Sequence, residues 1–279
     1  MQKYIIKSSG EQEEFSTGKF QRSLRRAGAS QEEINQLTDY VLHAPDLKTT
    51  QDIYKYAFNH LRKKRPAIAT RYNLRNALSE LGPSGFPFEH FVGEIFKYQG
   101  YEILIDQTVQ GFCVSHEIDI ILKKNNEQFM VECKFHQPHL YADIKVPLYI
   151  KSRFDDLEKK LSIDKNSLYN FRQAWVVTNT KFTSEALQYG LCVGMKLISW
   201  SYPEEDNLAQ LIDKLGFHPI TALTSLTRKQ KHYLIEHGFV LCKDASKFTY
   251  LLKQLGFSDK KVDSILQEAQ EASGLGAIQ

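Results

Sequence analysis

Cysteine is scarce in this chain. Four stand in 279 residues, Cys113, Cys133, Cys192 and Cys242, with no C-x-x-C pair. A disulfide framework and a structural zinc site are therefore not expected, and four reduced, mostly buried thiols are. No apolar run approaches the ~18 residues that cross a bilayer. The opening MQKYIIKSSGEQEEF holds no apolar signal core and no small-residue cleavage site, so a cytoplasmic location is expected. A strong charge of one sign is missing too: the net is +3. Residues 1–86 carry 14 Lys+Arg against 9 Asp+Glu, 87–203 carry 13 against 14, and 204–279 carry 9 against 10. Any nucleic-acid contact must then use local patches.

What is present is an ordinary globular balance, 42% hydrophobic and 25% charged, in a chain long enough for about two domains. KYIIK reads as a short strand and GEQEEF as a turn and return strand. Helical patterns follow at about 17–27, from Ser30 with a capping box to Glu33, from near Thr50 to Pro66, and over 67–81. LGPSGFP at 81–87 is the strongest boundary. Beyond it the pattern runs helix (88–99), strands (101–108, 114–122, 128–135), helix (147–160), strand (173–178), helix (183–194), strand (195–200). That order predicts an α/β domain with a mixed sheet. Past Pro203 the signal is helical, with three Leu- or His-Gly-Phe endings at Phe217, Phe239 and Phe257. These read as plain helix ends or as a helix-hairpin-helix-like unit, with Arg228, Lys229 and Lys231 clustered on one of them.

The chemistry-bearing pattern lies in 88–135. Asp119 sits in HEIDIIL, and Glu132 and Lys134 sit in FMVECKF. On a strand, residues two apart share a face, so Glu132 and Lys134 point together and an adjacent strand brings Asp119 alongside. Two carboxylates and a carbonyl suit Mg²⁺ or Mn²⁺, and a lysine beside them stabilises charge on a phosphate. Glu89 on the preceding helix completes the set, with Glu94 as its competitor. Glu117 is open as a further ligand, His116 reads as a polar neighbour, and Tyr149 and Arg153 read as DNA-backbone contacts or a solvated helix face.

Phe88-Glu89, Gly100-Tyr101, Asp119, Glu132-x-Lys134 and AWVVTNTKFTSEAL together resemble the PD-(D/E)-x-K nuclease superfamily, within it the Mrr-like restriction endonucleases and Holliday-junction resolvases. The resemblance implies a metal-dependent DNA endonuclease with Glu89, Asp119 and Glu132 as metal ligands and Lys134 assisting the nucleophile.

Residues 4–19, TTQDIY at 49–54 and ATRYNLRNALSELGP at 69–83 resemble the ATP-cone, the nucleotide-binding regulatory module of ribonucleotide reductases. The resemblance places Lys7 and Lys19 on phosphate, Glu13 and Ser16 in the purine- and sugar-facing turn, and Thr50 with Tyr54 beneath the base. Ser8 and Tyr54 depart from the usual Arg and His. The domains expected are an ATP-cone at 1–86, a restriction-endonuclease-like domain at 87–203 and a helical region at 204–279. The expected partners are DNA, ATP or dATP, and further copies of the chain. Two other readings stay open: a nucleotide-responsive DNA-binding regulator with a vestigial site, and an assembly factor.

Overall fold

The structure is a computed structural model that describes residues 3–7, 10–82, 84–137, 140–164 and 167–274. It is a mixed α/β fold. Strands β1 (Tyr4–Ile6) and β2 (Gln12–Glu14) form an antiparallel pair with Ile5 opposite Glu13. Helix α1 (Thr17–Arg26) starts on Ser16, whose hydroxyl accepts from Lys19 N. Helix α2 (Gln31–His43) has both arms of the capping box between Ser30 and Glu33, and α3 (Thr50–Lys64) has the same device between Thr49 and Asp52.

The single helix expected over 67–81 is two helices, α4 (Pro66–Tyr72) and α5 (Leu74–Ser79). Pro66 takes the first turn of α4, where its missing N–H costs nothing, and Asn73 caps its end. The Asn73 side chain accepts a hydrogen bond from the Tyr54 hydroxyl. An Asn with a side-chain partner off the helix is a natural break.

Helix α6 (Phe86–Tyr98) precedes β3 (Glu102–Gln110), β4 (Ser115–Lys124) and β5 (Glu127–Lys134). Asn125 and Asn126, both at positive φ, make the two-residue turn between β4 and β5. Then come α7 (Lys145–Ile163), β6 (Phe171–Thr178), α8 (Ser184–Cys192), capped by Thr183, and β7 (Lys196–Ile198). The sheet order is β3-β4-β5-β6-β7, antiparallel as far as β5 and parallel from there. Its core joins Ile118, Met130 and Val176 of the sheet to Ile150 and Leu157 of α7.

Helices α9 (Leu208–Leu215), α10 (Arg228–Glu236), α11 (Thr249–Gln254) and α12 (Asp259–Ala272) complete the chain, with short 3₁₀ turns at Ile220–Ala222 and Cys242–Phe248. Gly216, Gly238 and Gly256 lie at φ of 64°, 84° and 82°, closing α9, α10 and α11, which is the helix-end reading of the repeated Gly-Phe. Lys231 leaves the expected basic cluster: it is buried and donates to Thr221 O at 2.6 Å. Of the four thiols only Cys133 and Cys242 are buried; Cys113 and Cys192 are exposed.

The chain divides into two compact units. One holds 78–217; the other joins 1–77 to 218–279. The sheet unit thus runs past the boundary expected at 203. The start of α9 is tied to the end of the sheet by Leu208 N to Ser199 O and Ala209 N to Trp200 O, and Phe217 packs edge-on against Tyr98. In the other unit, Glu268 on α12 is buried and accepts from Thr70 Oγ1, Thr224 N, Thr224 Oγ1 and Ser225 N. Arg71 donates to the carbonyls of Glu271 and Ala272 at the end of α12, where a cation suits the helix dipole.

Candidate active site

Strand geometry assembles Asp119, Glu132 and Lys134 where the β4–β5 ladder ends. Glu132 and Lys134 share a face: Lys134 Nζ donates to Glu132 Oε1 at 2.6 Å, while Val131 and Cys133 turn the other way into the core. Asp119 follows the Ile120–Val131 pair, and its Oδ2 accepts from Cys133 N at 2.7 Å. A side-chain carboxylate here takes a strand amide of the next strand, which fixes its position between β4 and β5.

Glu89 lies in the first turn of α6, where the helix dipole favours a carboxylate. A Cβ at Gly85 would stand 3.0 Å from Glu89 Oε1, so the turn below the carboxyl has little room for a larger residue. Burial pushes the Glu89 carboxyl up to about 7, and the charges of Asp119, Asp106 and Glu132 push the same way against Lys134. Asp119 is also raised, first by burial and then by Glu132, with the Cys133 amide, Lys134 and Arg153 opposing. Each carboxylate therefore feels the others, and negative charge is in excess.

Glu132 is 4% exposed and holds two cations, Lys134 on Oε1 and Arg153 on Oε2, the latter at 2.7 Å. Arg153 is thus neither a solvated residue nor free to meet a DNA backbone. A buried carboxylate needs a counter-charge, and α7 supplies it. The signal was available: Arg153 follows Ile150 and precedes Leu157 at helical spacing, on the buried face of α7. Tyr149 is exposed and its ring lies 5.3 Å from the Arg153 guanidinium.

The residues held open fall outside this group. Glu94 pairs with Lys97 on α6, and Glu117 is exposed opposite Thr108. His116 is half-buried and bonds Asp156 of α7 at 2.8 Å. That Asp156 also accepts from Cys113 N and Val114 N. Burial would raise Asp156, but the hydrogen bonds from His116 and from the Cys113 and Val114 amides outweigh it and lower its pKa to about 2. Asp106, which sequence reasoning missed, is exposed on β3 and adds to the field on Glu89.

The donors suit a hard divalent cation in type: carboxylate oxygens with excess charge, of which Glu89 and Asp119 carry the repulsion. Among the described residues no three acidic, His or Cys side chains are drawn together as a closed metal cluster.

In the other unit, Lys7 pairs with Glu13 across the β1–β2 turn at 2.8 Å. Ile6 bridges Thr49 in parallel, and Ile6 N donates to Lys48 O, so Lys7 leads toward the start of α3 and Thr50. Ser16 and Lys19 sit together at the start of α1. The Tyr54 ring stacks at 5.4 Å on Tyr72 and 5.9 Å on Phe58. Ser8 lies outside the described residues.

Comparison with known proteins agrees with the mixed α/β sheet domain. Residues 82–201 match the family described as "Restriction endonuclease", and 218–272 match "AF1548-like, C-terminal". The middle of the chain is a restriction endonuclease-like domain. An Archaeoglobus fulgidus protein is 36% identical over 184 residues, 66% of this chain and all of that one. The crystal structure of protein of unknown function AF1548 is 35% identical with a TM-score of 0.56, covering 68% of this chain and 99% of that chain. The chain belongs to the AF1548-like family. Residues 1–81 lie outside both family matches. The MspJI restriction endonuclease bound to a 27-mer oligonucleotide aligns at 11% identity and a TM-score of 0.28, over 84% of this chain and 60% of that one, too loosely to place residues.

Proposed function

We propose that the chain is a metal-dependent DNA endonuclease, hydrolysing phosphodiester bonds at Glu89, Asp119, Glu132 and Lys134. The observation that carries this reading is the shared field at the sheet ends. Glu89 is pushed to about 7 by burial and by Asp119, Asp106 and Glu132, with Lys134 as the nearby cation. Carboxylates that repel one another beside a lysine are matched to a divalent cation, which would draw them together, and to a phosphate. Glu89, Asp119 and Glu132 would hold Mg²⁺ or Mn²⁺, and each Glu132 oxygen keeps a second lone pair beside its ion pair. That ion, when bound, supplies charge neutralisation and an activated water.

The chain's own residues do the positioning. Cys133 N fixes Asp119, Arg153 fixes Glu132, and Glu132 holds the Lys134 ammonium. Lys134, with its side chain 30% exposed, is the cation left facing solvent to meet negative charge on the phosphate. The test is cleavage of plasmid and of branched and single-stranded DNA by purified protein with Mg²⁺, Mn²⁺ or EDTA. Metal-dependent nicking that Asp119→Ala and Lys134→Ala each reduce ~10²–10³-fold supports the reading. Cleavage at wild-type rate by either variant overturns it.

The finer reading is that residues 1–86 bind ATP or dATP and that the nucleotide changes assembly or cleavage. Lys7 near the start of α3, and Lys19 at an α1 N-terminus whose amides favour anions, support it. A second reading is a nucleotide-responsive DNA-binding regulator without cleavage. The two ion pairs that occupy Glu132 favour it, and absence of nicking with retained DNA binding would establish it.

A further inference from the structure

We infer that Asn179 is a positioning residue for Lys134, an inference that rests on the nuclease reading above. The parallel ladder between β5 and β6 ends at the Lys134–Thr178 pair. One residue further along, the side chain of Asn179 replaces backbone pairing. Its Oδ1 accepts from His136 N at 2.8 Å, and its Nδ2 donates to His136 O at 2.8 Å. An amide side chain matches a peptide group in having one donor and one acceptor, so these two bonds prolong the sheet by a residue that β6 does not supply from its main chain.

The surroundings make the clamp rigid. Asn179 is 4% exposed, and Thr178 and Thr180 on either side are 0% and 4% exposed. Thr180 N donates to Thr178 Oγ1, and Trp200 N donates to Thr180 O. The same segment holds the chain again further on, through Ala142 N to Lys181 O and Thr183 N to Ala142 O. Between Lys134 and His136, Phe135 packs against Phe88, one residue before Glu89. Lys134 thus stands in the last ladder pair, two residues before a clamped one, and its backbone is held on both sides. A partly buried lysine on four rotatable bonds needs such a fixed root if its charge is to meet one phosphate oxygen.

The clamp makes a distinct statement about rate. Asn179 touches neither Lys134 nor the carboxylates in any hydrogen bond, so its loss should act on turnover through geometry and not on DNA binding. Asn179→Ala removes both bonds. Asn179→Asp keeps the shape but sets a carboxylate oxygen against His136 O. Both should lower the maximal cleavage rate at saturating DNA about 10–100-fold, the scale of a small misplacement of a reacting group, with the DNA dissociation constant within about twofold of wild type. In the wild-type protein the His136 amide should exchange with deuterium as slowly as amides inside the β5–β6 ladder, and this measurement needs neither variant nor activity. Rapid exchange at His136 in wild type, unchanged turnover in both variants, or a loss confined to DNA affinity overturns the inference. If wild-type protein cuts no DNA, the nuclease reading fails and the positioning role fails with it. If wild type cuts and the variants cut equally well, only the positioning role fails.

Discussion

Asp106 stands opposite Asp119 across the β3–β4 ladder. Ile105 pairs with Ile120 and Gln107 with Ile118, and between those pairs Asp106 takes a φ of 54°. The Gln107 side chain braces the kink by donating to Ile105 O at 2.8 Å. A left-handed residue inside a strand costs of order 1 kcal/mol unless it is glycine. Asp106→Gly should therefore stabilise the fold by up to about 1 kcal/mol while removing one of the charges that act on Glu89. Denaturant unfolding and nicking assays on one sample check both halves. A loss of stability with unchanged cleavage would show that the kink has no cost and the carboxylate no role.

Arg153 and Lys134 should separate cleanly, although both hold Glu132. Arg153 and its partner are buried, so Arg153→Ala leaves an uncompensated carboxylate and should cost ~3 kcal/mol or more of stability. Lys134 is partly exposed, and its alanine variant should unfold near wild type while losing cleavage. Urea midpoints for both variants decide this; equal stability would mean that Glu132 needs only one counter-ion.

The raised Glu89 carboxyl gives stability a pH dependence of definite sign. Between its ordinary value near 4.5 and about 7 the folded chain keeps a proton that the unfolded chain releases. The associated stability is complete below that window and is lost as pH rises through it. Glu89→Gln should then raise the unfolding midpoint at pH 8 and change it little at pH 4.5. Mg²⁺ should stabilise wild type more at pH 8 than at pH 5. A midpoint difference that ignores pH would remove Glu89 from the charged group.

Asp156 behaves in the opposite sense. Its depressed pKa means that its contribution is present at neutral pH and is lost as pH falls from about 4 toward 2. At neutral pH, Asp156→Ala should loosen the β3–β4 turn, because the Cys113 and Val114 amides and His116 all lose their acceptor. Gly111→Ala should do the same sterically: its Cβ would come within 2.7 Å of Val114 O and closer still to Asp156 Oδ2. Faster amide exchange confined to 111–116 in both variants is the expected result.

Nucleotide binding is checked by calorimetry with ATP and dATP. Lys7→Ala combined with Lys19→Ala should abolish it and leave metal-dependent cleavage without nucleotide unchanged. Where nucleotide binds wild type, cleavage or assembly should shift about 5–150-fold, the usual scale of coupling between sites. Binding that survives in the double variant would place the phosphates elsewhere.

Local devices were legible in the sequence, and long-range ones were not. The Ser30–Glu33 capping box, the Asn125-Asn126 turn and the Glu132-x-Lys134 alternation each depend on residues within a few positions. The break at Asn73 depends on Tyr54, nineteen residues away, and so escaped a periodicity that runs through it. The burial of Arg153 is signalled by its spacing from Ile150 and Leu157, but its partner Glu132 lies 21 residues away and is not. Asp106 has only its poor fit to a strand as a signal. The partnership of 1–77 with 218–279 has none, because Glu268 and Thr70 meet across almost the whole chain.

That partnership sets an order of events at the ribosome. The first 77 residues emerge with Leu24, Leu37 and Leu61 ready to be buried, but Thr70 and Arg71 face partners that have not yet been made. All of 78–217 must be translated first, on the order of ten seconds at ~5–20 residues per second. The sheet unit is complete at the end of that interval, while the unit that began first finishes last. For those seconds Thr70 and Arg71 keep their polar groups in water, while the cluster around Leu24, Leu37 and Leu61, drawn wholly from residues 5–72, needs nothing from the later segment.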